Sequence, residues 1–132
     1  MNDSLYGLGA VVLVTSLMWL PYVLNMILVQ GLMGAMGYRD DLPPLSDWAM
    51  RAKKAHFNAI ENLAIFAPLV LALALIGERT GLVATLVTLY LAFRVLHYLV
   101  YTFRIPVLRT FTFFGGWGVT VYLAIILLDK SA

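Results

Sequence analysis

The sequence predicts an all-α integral membrane protein, a single bundle of four transmembrane helices. Three observations carry that expectation. Hydrophobic residues make up 62% of the 132-residue chain and charged residues only 12%, with a mean hydropathy of +0.89, far from the balance of a soluble domain. Four apolar stretches, at about residues 5–36, 47–76, 82–103 and 107–128, each supply the ~20 helical residues that a bilayer crossing needs. The connections between them are short, leaving one membrane domain over residues 1–132 and no separate soluble one. So small a bundle has little interior, so a buried site is more easily built between copies, and homo-oligomerisation is expected.

Span one carries Asn25 and Gln30 as its strongly polar groups, expected to hydrogen-bond across helices, and Pro21 predicts a kink. Its apolar run is too long for a signal-peptide core, and Asp3 stands where a basic start would be, so it reads as a permanent span. The following GYRDDLPPLSDW segment, Gly37 to Trp48, is a polar loop in which Ser46 or Asp47 is the expected N-cap of the second helix. Trp48 suits the headgroup level. Span two stops at Gly77-Glu78-Arg79-Thr80-Gly81, a turn short enough to make spans two and three antiparallel neighbours. Arg104-Ile105-Pro106 separates spans three and four. Gly115-Gly116-Trp117-Gly118, inside an apolar span, predicts close helix packing rather than phosphate binding.

Arg39, Arg51, Lys53 and Lys54 cluster on the first connection, and Arg104 and Arg109 flank the third. The bias of basic residues toward the cytoplasm then puts both chain termini on the other side, and a bacterial inner membrane is the expected location. A net charge of +2 without a basic, aromatic-interleaved surface excludes a nucleic-acid partner. With no cysteine there is no thiolate metal site or cysteine nucleophile. No metal site is expected, and any thiol must come from a substrate.

The most informative segment is RAKKAHFNAIEN, Arg51 to Asn62. The apolar run after it, Leu63 to Ile76, is too short to cross alone, so the helix takes polar residues into the membrane. A charge at that depth costs ~2.5–3.5 kcal/mol and persists mainly where it faces a bundle interior or a ligand. By helical spacing Arg51, Lys54, Asn58, Glu61 and Asn62 share a stripe, and on span three Tyr90, Arg94, His97, Tyr98 and Tyr101 do the same. Glu61 and Arg94 each lie ~15 Å from a helix end on the same side, which predicts an ion pair between them. The bland alternatives are membrane-surface anchoring for Arg51, Lys53, Lys54 and Arg109, a backbone hydrogen bond for His56, and bundle packing for Tyr98. The two stripes suit a small, multiply charged, peptide-like ligand. Ile65, Phe66 and lipid are expected to supply an apolar wall for a second, lipophilic substrate.

At RAKKAHFNAIENLAIF (Arg51–Phe66) and FRVLHYLVY (Phe93–Tyr101) the chain resembles the MAPEG family, the membrane-associated proteins of eicosanoid and glutathione metabolism. Arg109 and FFGGWGVT (Phe113–Thr120) resemble the start of its fourth span. The resemblance implies a homotrimer of four-helix bundles with glutathione, a co-substrate, held between subunits near the cytoplasmic side. It places Lys54, Asn58, Glu61, Arg94, His97 and Tyr101 where the family binds glutathione, with Arg51, His56, Asn62 and Tyr98 as further substrate-binding candidates. Arg109 stands where some members stabilise the glutathione thiolate, so Arg109 and Tyr101 are the catalytic candidates. The chain departs from the pattern at Lys54, which is Arg in several members. It departs again at Phe57, where prostaglandin synthases have Arg, and at Phe113, where some members carry Tyr.

The expected function is a glutathione-dependent transferase or peroxidase acting on lipophilic electrophiles. The alternative is a non-catalytic member binding lipid or another anionic metabolite. An ion pathway ranks last, because Leu63–Ile76 and Leu82–Leu89 offer almost no polar relay.

Overall fold

The computed structural model describes residues 3–132 as five helices: α1 (Asp3–Leu17), α2 (Leu20–Met36), α3 (Asp47–Leu75), α4 (Gly81–Thr102) and α5 (Pro106–Ser131). Helices α1 and α2 are the two halves of span one, so four helical stretches are long and apolar enough to cross a membrane. The protein is an integral, multi-pass helical bundle. Large side chains such as Leu28, Met33, Leu75 and Leu128 stand more than two-thirds exposed, an outward belt that suits acyl chains or another apolar protein surface.

All four spans meet in one core. Leu8 and Val11 of α1, Phe66, Val70 and Leu73 of α3, Val83, Val87 and Tyr90 of α4, and Val119 and Leu123 of α5 pack together. Phe66 is fully buried and stacks on Tyr90 with ring centres 3.5 Å apart. The expectation that Phe66 lines a lipophilic wall is thereby corrected. Its face of α3 points at α4, and the adjacent Ile65 is the one that faces outward.

Span one breaks between Leu17 and Leu20, one turn before Pro21, whose ring nitrogen has no hydrogen to give the preceding turn. The break is satisfied by neighbouring helices, because Tyr98 of α4 donates its hydroxyl to the Met18 carbonyl at 2.9 Å. One turn on, the Tyr22 hydroxyl lies 2.8 Å from His56 Nδ1 of α3. A second departure, at Gly31 with φ 74° and ψ 161°, had no expectation. That backbone is open to glycine and strained for other residues.

The polar residues of span one tie down the first connection, where bonds from helix to helix were expected. Asn25 donates to Ser46 Oγ at 2.9 Å and accepts from the Ser46 N–H at 3.0 Å, while Gln30 donates to the Pro43 carbonyl at 2.8 Å. Ser46 sits at the N-cap of α3, but its side chain makes no capping bond. Asn25 takes that hydroxyl instead, so the cap acts as a clamp between α2 and α3. In the same loop Arg39 grips Asp41 through two bonds of 3.0 and 2.7 Å, which holds the carboxyl below its usual range and raises the guanidinium. At the far end of the bundle Lys130 of α5 pairs with Glu78 of the α3–α4 turn at 3.7 Å.

Candidate functional site

The polar residues of three helices converge on one open cleft of about 470 Å³. Helix α3 contributes Lys54, Phe57, Asn58 and Glu61, α4 contributes His97 and Tyr101, and α5 contributes Arg109, Thr110 and Phe113. The spacing explains the set. Positions 54, 57, 58 and 61 recur at three and four residues on α3, as do 97 and 101 on α4 and 109, 110 and 113 on α5, so each helix turns one face to the cleft.

The local geometry orients these groups. His97 Nδ1 lies 3.2 Å from the Arg109 carbonyl and 3.3 Å from Thr112 Oγ1. A carbonyl only accepts, so Nδ1 carries the hydrogen, and in the neutral ring Nε2 keeps its lone pair. That bond fastens the first turns of α5 to α4 beside the cleft. The Arg109 guanidinium carbon stands 5.3 Å from the centre of the Tyr101 ring, within the range of a cation–π contact. Tyr101 in turn leans on His97, ring centres 5.7 Å apart. Arg109 is thus held over the cleft by an aromatic face, with its nitrogens free of any carboxylate among the described residues.

Six of the sequence-derived candidates, Lys54, Asn58, Glu61, His97, Tyr101 and Arg109, therefore share one cleft. The remaining five do not line it. Arg51 donates from Nε to the Thr102 carbonyl at 2.9 Å, joining α3 to the end of α4. His56 and Tyr98 are spent on the break in span one. Asn62 donates to the Asn58 carbonyl at 2.8 Å and lines a separate apolar groove with Ile65, Leu69 and Trp117.

Arg94 departs furthest from expectation. It is 2% exposed and makes no ion pair with Glu61, which is exposed in the cleft. Its guanidinium instead crosses to α5, where Nη2 donates to the Phe113 carbonyl at 3.2 Å and the plane lies between the Tyr90 and Phe113 rings, 5.3 and 5.7 Å away. The physical reason is Gly116. A Cβ there would collide with the guanidinium, so the missing side chain makes the space into which Arg94 turns. Among the described residues, Nε and Nη1 of Arg94 and the Tyr90 hydroxyl have no hydrogen-bond partner.

Residues 6–128 match the MAPEG family. The chain belongs to that family. No curated protein and no solved structure matches it. As a MAPEG protein it falls among the membrane proteins of glutathione and eicosanoid metabolism, consistent with its four apolar spans. Thr110, Phe57 and Phe113 also line the cleft and were not among the candidates, although the sequence marked the two phenylalanines as departures from the family pattern. For Thr110 the available signal was its position next to Arg109 at the start of α5.

Proposed function

We propose that this MAPEG protein is a glutathione-dependent transferase or peroxidase acting on lipophilic electrophiles, with the cleft between α3, α4 and α5 as its glutathione site. The observation that carries the reading is the donor set of that single cleft. Lys54 and Arg109 offer two cations, Glu61 one carboxylate, and Asn58, His97 and Tyr101 neutral hydrogen-bonding groups. Glutathione has two carboxylates, one ammonium, two amides and a thiol, so Lys54 complements a carboxylate, Glu61 the ammonium and Arg109 the sulfur once ionised. The volume lies within the ~300–1,000 Å³ of small-molecule sites.

When bound, glutathione supplies the sulfur nucleophile. The chain's own residues do the rest. Lys54 holds a carboxylate as a mobile point charge, Glu61 receives the ammonium, and Asn58 orients the peptide. Arg109 stabilises the thiolate, since a cation beside a thiol raises the ionised fraction at neutral pH. His97 Nε2, the ring nitrogen left with a lone pair, accepts the thiol proton. Arg94 adds a positive charge behind Phe113 with no carboxylate partner among the described residues, which favours an anion in the cleft. Proton transfer by a placed base contributes ~10²–10⁴ in rate.

The open face of the cleft supports closure by a second copy in a homotrimer. The basic connections support placing it at the cytoplasmic side, with both termini opposite. The test is turnover of a lipophilic electrophile or hydroperoxide by purified protein with glutathione. Loss of at least most activity in Arg109→Ala, with an unchanged melting temperature, supports the reading; unchanged activity rejects the role of Arg109.

A further inference from the structure

His97 is held from two directions, and the second hold belongs to a residue outside the cleft. Thr112 of α5 is 7% exposed and does not line the cleft. Its Oγ1 lies 3.3 Å from His97 Nδ1, 2.8 Å from the Leu108 carbonyl and 3.1 Å from the Arg109 carbonyl. The geometry points to Thr112 as a positioning residue that fixes the tautomer and the direction of the His97 ring.

A threonine hydroxyl has one hydrogen and two lone pairs. The shortest contact takes that hydrogen to the Leu108 carbonyl, a bond back to the preceding turn that threonine makes in helices. Toward His97, Oγ1 is then an acceptor. The Arg109 carbonyl, 3.2 Å from the same Nδ1, only accepts as well. Two acceptors therefore face one ring nitrogen, so Nδ1 carries the hydrogen and Nε2 the lone pair. With Thr112 turned the other way, donating to Nδ1, the Arg109 carbonyl would meet a ring lone pair.

The same contact ties the base to the cation, because the carbonyl that holds His97 belongs to Arg109 itself. One turn deeper, Arg94 takes the Phe113 carbonyl at 3.2 Å. Helix α4 thus grips α5 at two successive turns, with Thr112 between them. A ring fixed in this way keeps Nε2 ready for the thiol. The S–H bond breaks, the proton binds Nε2 and the electron pair stays on sulfur. The kinetic part of the inference rests on the proposed glutathione reading; the state of the ring does not.

The experiment reads side-chain nitrogen magnetic resonance of isotope-labelled histidine in mildly alkaline detergent solution, without glutathione. Steady-state turnover with glutathione is measured on the same proteins. The chain has two histidines, and His97→Gln identifies the His97 signals by their loss. The wild-type ring is expected to be protonated at Nδ1. Thr112→Val, which keeps the volume, and Thr112→Ala are expected to admit the Nε2–H form. They should lower kcat about tenfold, short of the ~10²–10⁴ that a placed base contributes, with KM for glutathione unchanged. The Arg109 carbonyl still holds Nδ1 in both. Thr112→Ser is expected to restore tautomer and kcat. A wild-type ring protonated at Nε2 overturns the proposal, as does a tautomer unaltered in both variants or an unaltered kcat in active protein. A tautomer that shifts in protein without turnover overturns the glutathione reading and leaves the hold of Thr112 on the ring standing.

Discussion

Arg94 of α4 donates from Nη2 to the backbone carbonyl of Phe113 on α5, 3.2 Å away, and does so through a space that Gly116 leaves open. This places a buried cation on the wall between the bundle core and the polar cleft. It also fixes where α5 starts relative to α4, hence where Arg109 stands over Tyr101.

The Gly116 contact predicts a sharp contrast within one helix. Gly116→Ala drives a methyl into the Arg94 guanidinium and is expected to cost ~1–3 kcal/mol, the usual range for overpacking. Gly118→Ala meets nothing within 4 Å and is expected to be neutral or to stabilise by up to ~1 kcal/mol from helix propensity. Thermal unfolding in detergent of the two variants side by side checks this; equal effects would remove the close-approach argument.

Glu61 and Arg94 are expected to act independently on stability. With no ion pair between them, the losses from Glu61→Gln and Arg94→Leu should add within ~0.5 kcal/mol in a double-mutant cycle. A coupling above ~1 kcal/mol would show that the two charges interact after all.

Two tyrosines one helical turn apart on α4 are expected to behave oppositely. Tyr98→Phe removes the hydroxyl that satisfies the Met18 carbonyl at the break in span one, costing ~1 kcal/mol of stability and leaving turnover close to normal. Tyr101→Phe leaves stability unchanged, since its hydroxyl has no bond to lose among the described contacts, but lowers turnover with glutathione. Melting temperature and activity measured on both variants separate the roles.

Arg104, two residues past the end of α4, has φ 60°, a left-handed backbone that costs a non-glycine residue ~1–2 kcal/mol. Arg104→Gly relieves it and is expected to raise stability by up to ~1 kcal/mol, the remainder being offset by the freedom of glycine in the unfolded chain. A lower melting temperature would mean that the Arg104 side chain contributes more as a membrane-surface anchor than the backbone strain costs.

The spans were legible because a bilayer imposes length and apolarity directly on sequence; the expected 47–76 and 82–103 became Asp47–Leu75 and Gly81–Thr102. The break near Pro21 was legible from its missing N–H, and that Asn25 and Gln30 form hydrogen bonds followed from the cost of unsatisfied polar groups in lipid, but their partners in the first connection, Ser46 and Pro43, did not. The second departure, at Gly31, was not legible, because a glycine in an apolar run is equally compatible with a straight helix. Within the polar stripes, helical spacing gathered residues on a face but left open which helix that face meets at each depth. Arg94 and Tyr101 share a stripe of α4, yet the Gly115–Gly116 pair brings α5 in close at Arg94 and shuts it into the bundle, while at Tyr101 the helices leave the cleft open. The glycines announced close packing without saying which partner would approach.

The most direct test of the central claim is a titration of the purified protein with glutathione, read at once by calorimetry and by ultraviolet thiolate absorbance. Saturable binding in the millimolar range or tighter, with thiolate absorbance that Arg109→Ala diminishes and Lys54→Gln weakens in affinity, is the predicted result. Heat and absorbance that stay flat up to several times cellular glutathione levels would contradict the assignment of the cleft.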